Sequence, residues 1–376
     1  MIPVNEPRLD GRELEYVTEC LKTGWISSAG RFIGEFEESW AAYCGRGYGV
    51  AVCNGTVALQ LAVAALDLGP GDEVIMPAFT IISCAMAIVY QGAVPVLVDA
   101  DPAIWCMDVA KVEARITPRT RAIMPVHMYG HPVDMDPLLD LAEKHGLAII
   151  EDAAEAHGAE YLSRRGPEPE WRRCGSFGDL SCFSFYANKL VTTGEGGMVV
   201  TDDEALAKRL RLLRNLAFSP EQRFLHKELG FNFRLTNLQA AIGLAQVERI
   251  GETIERKRRI GTRYLEALAS LPVIRIQAER PWARSVWWMN GLVLAKESGY
   301  TAVSLAKELA TLGVETRPFF LGMHRQPALR DRGLFDGETY PVTEELADMG
   351  LYLPSGVGLT EEQQETVIAA MKQVFA

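Results

Sequence analysis

No two of the seven cysteines form a Cys-x-x-Cys pair. They stand at positions 20, 44, 53, 84, 106, 174 and 182. An odd number in such a pattern predicts reduced thiols in a cytoplasmic protein rather than a disulfide framework. The sequence also has no run of roughly 18 or more apolar residues, so no membrane-spanning helix is predicted. The opening MIPVNEPRLDGRELEYV lacks a cationic start followed by an apolar core, and does not read as a secretory leader. No long block of one charge occurs. The formal net charge of −11 is spread along the chain, which speaks against a basic nucleic-acid-binding face. Internal repeats and low-complexity segments are missing too.

The chain does have bulk and alternation. Its 376 residues, 48% of them apolar, suffice for a sizeable core and two domains. From residue 48 onward, short β-branched runs alternate with helical ones. Strands are predicted at 49–53, 73–76, 94–99, 122–126 and 147–152, and helices at 57–66, 82–90 and 137–145. Further strands are expected at 181–185 and 198–200. This pattern means βαβ units, a mostly parallel sheet covered on both faces, and ligand binding at the strands' C-terminal edge. SRRGPEPEWRRCG (163–175) reads as an exposed loop insertion. AFSPEQRFLHKE (217–228) is a polar loop, and 236–268 is strongly helical. The remainder mixes strands at 286–294 and 313–317 with helices at 302–312 and 361–374. The predicted division is a large domain over 1–250 and a smaller α+β domain over 251–376.

One lysine stands out. FSFYANKLVTTGEGGMVV (183–200) places Lys189 between a strand and a glycine-rich loop, in otherwise apolar and small-residue surroundings. Buried lysine is expensive unless paired or chemically used. Two other stretches fit a common cofactor. In CNGTVALQLAVAAL (53–66), Asn54, Gly55 and Thr56 lie where a helix begins, which is an anion site or a simple N-cap. In LAIIEDAAEAHGA (147–159), Glu151 and Asp152 end a buried strand. A carboxylate there would hold a protonated ring nitrogen or cap the next helix. An anion cradle, a carboxylate and a lysine are together what pyridoxal 5′-phosphate (PLP) requires. His127 and His131 are four apart but lack a third ligand, so no metal site is predicted. Trp287 and Trp288 read as small-domain core.

These segments, with GDEVIMPAFT, GAVPVLVDAD, GFNFRLTNLQAAIGLAQVERI and RPFFLGMHRQP, resemble the DegT/DnrJ/EryC1/StrS sugar aminotransferases along essentially the whole chain. The likeness is strongest to the branch that aminates a GDP-linked 4-keto-6-deoxymannose. The resemblance implies an α/β protein with the PLP-dependent transferase type I (aspartate-aminotransferase-like) fold: a seven-stranded, mostly parallel sheet and a smaller α+β domain. It implies that Lys189 carries the cofactor covalently and moves protons, and that Asp152 pairs with the ring nitrogen. Gly55, Thr56 and Ser184 would hold the phosphate. Asn232 would reach the phosphate of a partner subunit in a homodimer with shared active sites. Glu155 lies where relatives often carry Gln or His, near the ring hydroxyl. Ile81 stands where an aromatic usually stacks on the ring. Trp25, Ser27, Tyr186 and His324 would border the substrate. The implied partners are a nucleotide-linked keto-sugar and L-glutamate, which leaves as 2-oxoglutarate. Amination at C3 rather than C4 uses the same cofactor residues. Dehydratases of the family replace the lysine by histidine, so Lys189 argues against dehydration. A regulatory protein that kept the fold is a further reading, opposed by the intact Lys189, Asp152 and Ser184.

Overall fold

A computed structural model describes residues 1–219, 221–222 and 224–376. Pro220 and Arg223 of the 217–228 loop lie outside the described residues. In chain order the strands are Tyr48–Val52 (β1), Glu73–Pro77 (β2), Val94–Val98 (β3), Thr120–Ile123 (β4), Ala148–Asp152 (β5), Glu160–Ser163 (β6), Glu170–Arg173 (β7), Leu180–Ser184 (β8), Gly197–Thr201 (β9), Ile274–Ile276 (β10), Ala283–Arg284 (β11), Asn290–Leu294 (β12), Arg317–Pro318 (β13) and Gly350–Leu353 (β14).

Seven of them form the main sheet, in the order β1-β9-β8-β5-β4-β2-β3. The β3/β2, β2/β4, β4/β5 and β5/β8 pairings are parallel. Only β9 runs against its neighbours β8 and β1. The sheet is therefore mostly parallel, as predicted. β2 and β9 are buried along their whole length, as expected of strands covered on both faces. The helix Gly55–Ala65 is rich in alanine, packs six buried residues, and starts at Asn54, whose side chain accepts from Val57 N at 3.0 Å.

Beyond residue 250 a four-stranded antiparallel sheet, β10-β12-β14-β13, packs helices Ala302–Thr311 and Glu361–Val374 over a second apolar core that includes Tyr264, Leu305, Leu351 and Met371. The residues at the chain start strap onto this sheet. Ile2 bridges Val314, and Ser355 N donates to Val4 O at 2.9 Å.

Several elements differ from the sequence reading. The 163–175 stretch is no loop insertion: β6 and β7 pair over Glu160–Ser163 and Glu170–Arg173, and only the turn between them is loop. Its charged residues decorate a ribbon whose second strand has no fully buried residue. The long 236–268 helix is two, Asn237–Val247 and Ile250–Leu268, broken where Arg249 leaves helical geometry at φ −119. The predicted 286–294 strand begins only at Asn290. Trp287 has φ 42, in the left-handed region, which no extended strand accommodates. Of 313–317 only Arg317 joins a strand, β13.

Candidate active site

The C-terminal ends of β5 and β8 and the start of helix Gly55–Ala65 meet at a cavity of about 610 Å3. Its wall includes Gly55, Thr56, Ile81, Asp152, Glu155, Ser184, Tyr186 and Lys189, eight of the residues singled out in the sequence.

The helix start is shaped by a close approach. A Cβ on Gly55 would come within 2.5 Å of Ser184 Cβ and 3.0 Å of its Oγ. Only glycine lets β8 lie against this turn. On the far side a Cβ on Gly197 of β9 would collide with the Asn54 carbonyl. The first N–H groups of a helix lie outside its own hydrogen-bond ladder, and the dipole there favours an anion. Thr56 Oγ1 bonds Ser83 Oγ at 2.8 Å, adding hydroxyls to the same rim.

Lys189 follows β8 in a hairpin connection closed by bonds from Phe185 N to Gly196 O and from Thr193 N to Phe185 O. Its side chain is 10% exposed. The amine lies 3.9 Å from Glu155 Oε1 and 3.5 Å from the centre of the Trp288 ring. Burial lowers the lysine's pKa, while the carboxylates of Glu155 and Asp152 oppose that fall. Burial pushes Glu155 up to about 7, although Lys189 and the Tyr129 N–H draw it down. That N–H donates to Glu155 Oε2 at 2.8 Å. Tyr129 holds a left-handed conformation at φ 54 to present it.

Asp152 and Glu151 are neighbours with opposite fates. Asp152 is raised by burial and accepts from Ala154 N at 3.0 Å and from the Cys84 thiol at 3.2 Å. A thiol is a weak donor, so this buried carboxylate keeps capacity for a stronger one. Glu151 is saturated. It accepts from His127 Nε2, from the N–H groups of Gly175, Phe177 and Gly178, and from Ser181 Oγ, at 2.5 to 3.0 Å. Burial alone would raise it, but these bonds prevail and hold it at about 2. His127, Glu151 and Cys174 offer ligand atoms within 4.8 Å of one another. However, His127 Nδ1 already accepts from Val133 N at 3.0 Å, so Nε2 carries the proton toward Glu151. This is a satisfied structural network. His131 is likewise engaged, by the Pro132 carbonyl and Arg280 N.

The other sequence candidates lie elsewhere. His324 does not line the cavity; it is buried, bonds Glu344 at 3.0 Å and packs on Tyr340. Trp25 and Ser27 are exposed outside the lining, and Asn237 holds both their carbonyls. Asn232 is exposed beside Asn215, outside this chain's own cavity. Ile81 is 40% exposed at the start of helix Ile82–Tyr90, and Tyr186 is 47% exposed at the mouth. Sequence reasoning missed Ser83, Asn188, Trp288, Phe320 and Tyr352, which also line the cavity. Trp288 is buried, as a core tryptophan would be, yet one face of it meets the lysine amine.

The residues present fit PLP. The space a Cβ would fill at Gly55, with Thr56 and Ser184 around it, suits a phosphate at a helix start. Asp152 suits a protonated ring nitrogen, and Lys189 suits an aldehyde.

The model of the DegT/DnrJ/EryC1/StrS aminotransferase family matches residues 7–372. The chain is 47% identical over 380 residues to a GDP-perosamine synthase from Caulobacter vibrioides, covering 100% of this chain and 98% of that one. Among solved structures it superposes on DesV of S. venezuelae with a TM-score of 0.88 at 37% identity, covering 96% of this chain and 94% of that one. The PLP form of the putative sugar aminotransferase Spr1654 from Streptococcus pneumoniae gives a TM-score of 0.90 at 26% identity, covering 99% and 98%. The chain belongs to the DegT/DnrJ/EryC1/StrS aminotransferase family. Its fold is that of the PLP-dependent sugar aminotransferases, and it is an enzyme of that class.

Proposed function

We propose that the chain transfers the amino group of L-glutamate to C4 of a GDP-linked 4-keto-6-deoxy sugar, in the manner of a GDP-perosamine synthase. The observation that carries this reading is the pairing of Lys189 with Glu155 in one cavity, 3.9 Å apart, together with the 47% identity over the whole chain. We further propose that two copies share their active sites. Among the described residues, the cavity wall holds Asp152, Glu155 and Glu195 against a single cation, Lys189. A nucleotide diphosphate needs more positive or donor groups than that. Asn232, exposed and outside its own cavity, would serve a second copy.

When bound, PLP supplies an electrophilic carbon and a protonated ring that takes up the electron pair of the carbon losing its proton. The protein's part is positional and acid–base. Gly55 N–H, Thr56 and Ser184 would fix the phosphate. Asp152 would accept the ring N–H, an interaction that returns this raised carboxyl toward its ordinary range. Lys189, lowered by burial, has a neutral form able to take a proton from the donor carbon and return it to the sugar carbon. Glu155, held by the Tyr129 N–H, titrates near neutrality and would hold or release a proton at the ring hydroxyl. Trp288, Phe320 and Tyr352 wall the site and limit water.

The test is the visible spectrum of the purified protein with PLP, before and after L-glutamate, beside Lys189→Ala. The expected result is a band of lysine-bound cofactor that glutamate removes and that the variant lacks. GDP-4-keto-6-deoxymannose should then restore it, whereas 3-keto nucleotide sugars should not. A band that GDP-4-keto-6-deoxymannose fails to restore would end the reading of a GDP-sugar C4 aminotransferase.

A further inference from the structure

Trp288 makes two contacts to the lysine segment. Its ring face lies 3.5 Å from Lys189 Nζ. Its indole N–H donates at 2.8 Å to the carbonyl of Asn188, the peptide that leads into Lys189. Asn5, on the strap at the chain start, donates to the same carbonyl at 3.1 Å.

The local backbone explains how Trp288 comes to face the amine. Trp287, at φ 42, turns the chain so that the two indoles diverge. Trp287 packs on helix Ile250–Leu268, where a Cβ on Gly261 would lie 2.6 Å from its ring. Trp288 turns instead to the cavity. The turn is braced by a second one. Val286 N and Ser285 Oγ both donate to Gly130 O at 3.1 Å, and a Cβ on Gly130 would lie 2.8 Å from Trp288 N. Gly130 follows Tyr129, the left-handed residue whose N–H holds Glu155. Two strained turns thus lean on one another and aim at one amine–carboxyl pair. Such strain persists only where the surroundings over-determine it.

We infer that Trp288 is a positioning residue for the transamination: its ring seats the free Lys189 ammonium and its N–H fixes the peptide that carries the lysine. This rests on the function proposed above. A cation over a desolvated indole face is favoured, and Trp is the best ring for it. Around the amine the ring acts beside the carboxyls of Glu155 and Asp152 and the Cys84 thiol, which favour the ammonium, and the buried His157, whose own protonation the ammonium disfavours. None of these four groups is removed when Trp288 is changed.

The experiment is pH-dependent competitive acylation of the PLP-free full chain, with Lys189 labelling read by mass spectrometry. Trp288→Leu removes the face and the N–H. Its labelling midpoint should fall by roughly one pH unit, because the ammonium loses its seat. Trp288→Phe keeps a face and loses the N–H. Its midpoint should move less, while kcat with L-glutamate falls several-fold at nearly unchanged KM. An unmoved midpoint in folded Trp288→Leu would overturn the inference. Should that variant fail to fold, an unchanged kcat in Trp288→Phe would overturn it instead. The labelling uses no cofactor, so it reads the seating of the amine even if the spectral test of function fails.

Discussion

Gly55→Ala probes the contact on which the phosphate cradle is built. The new methyl would sit 2.5 Å from Ser184 Cβ. Ordinary carbon contacts are about 3.5–4.0 Å, so helix and strand must part by roughly 1 Å. Overpacking of this kind costs about 1–3 kcal/mol. Apoprotein stability should fall by that amount in urea denaturation at fixed protein concentration. PLP binding should weaken more, by about 10–100-fold, since charge-assisted bonds to the phosphate are each worth ~1.5–3 kcal/mol and the helix start is displaced from them. The double variant separates the two effects. Ser184→Gly removes the struck atom and costs about 1 kcal/mol alone. Combined with Gly55→Ala it should return at least ~1 kcal/mol of stability, as a coupling between touching residues. It should not return PLP affinity, because the hydroxyl is gone. A Gly55→Ala apoprotein as stable as wild type would refute the packing argument. Wild-type PLP affinity in the same variant would refute the assignment of the phosphate to this helix start.

The remaining predictions concern three carboxyls. Asp152→Asn should leave apoprotein stability unchanged or slightly raised, since it removes a buried charge that burial disfavours, yet lower kcat by ~100-fold or more. Glu151→Gln should do the reverse: a loss of ~2–4 kcal/mol in urea denaturation with PLP affinity nearly kept, because it disturbs five donated hydrogen bonds. Glu151 sits below its ordinary value, so its stabilisation is present above the unfolded pKa and lost as pH falls from about 4.5 toward 2; Glu151→Gln should remove that acid dependence. Glu155 has the opposite sign. Folded Glu155 keeps a proton that the unfolded chain releases, so its contribution to stability declines as pH rises from about 4.5 to about 7. Glu155→Gln should flatten stability over that window and remove the inflection near pH 7 from the kcat/KM profile of the glutamate half-reaction.

Much of this was legible in the sequence, for definite reasons. Helices Ile82–Tyr90 and Glu361–Val374 fall on their predicted residues, since each is a periodic run with a clear boundary. Lys189 was visible because a lone cation amid apolar and small residues conflicts with ordinary burial. What failed was whatever depends on three dimensions. The pair Glu151–Asp152 gives no hint that one is saturated by the 175–178 turn while the other waits with a thiol. Trp288 looked like core because tryptophan usually is; only the left-handed Trp287 sends it to the lysine. His324 looked polar and available, but Glu344, twenty residues on, holds it. The 163–175 stretch was read by composition alone, and charged ribbons look like loops on that measure.

The meshing of Gly55, Ser184 and Gly197 has a consequence for how such an enzyme can diversify. The three lie on different elements and meet so closely that neither glycine has room for a side chain. The distance from the phosphate cradle to the lysine hairpin is therefore set by direct contact at Gly55 and Gly197, and a side chain added at either would force it open. The mouth differs. Ile81 and Tyr186 stand there as half-exposed side chains. An exchange at Tyr186 would alter what the mouth presents to a substrate without touching the glycine contacts. Freedom at the rim and constraint at the two glycine-tight positions are two outcomes of one piece of packing.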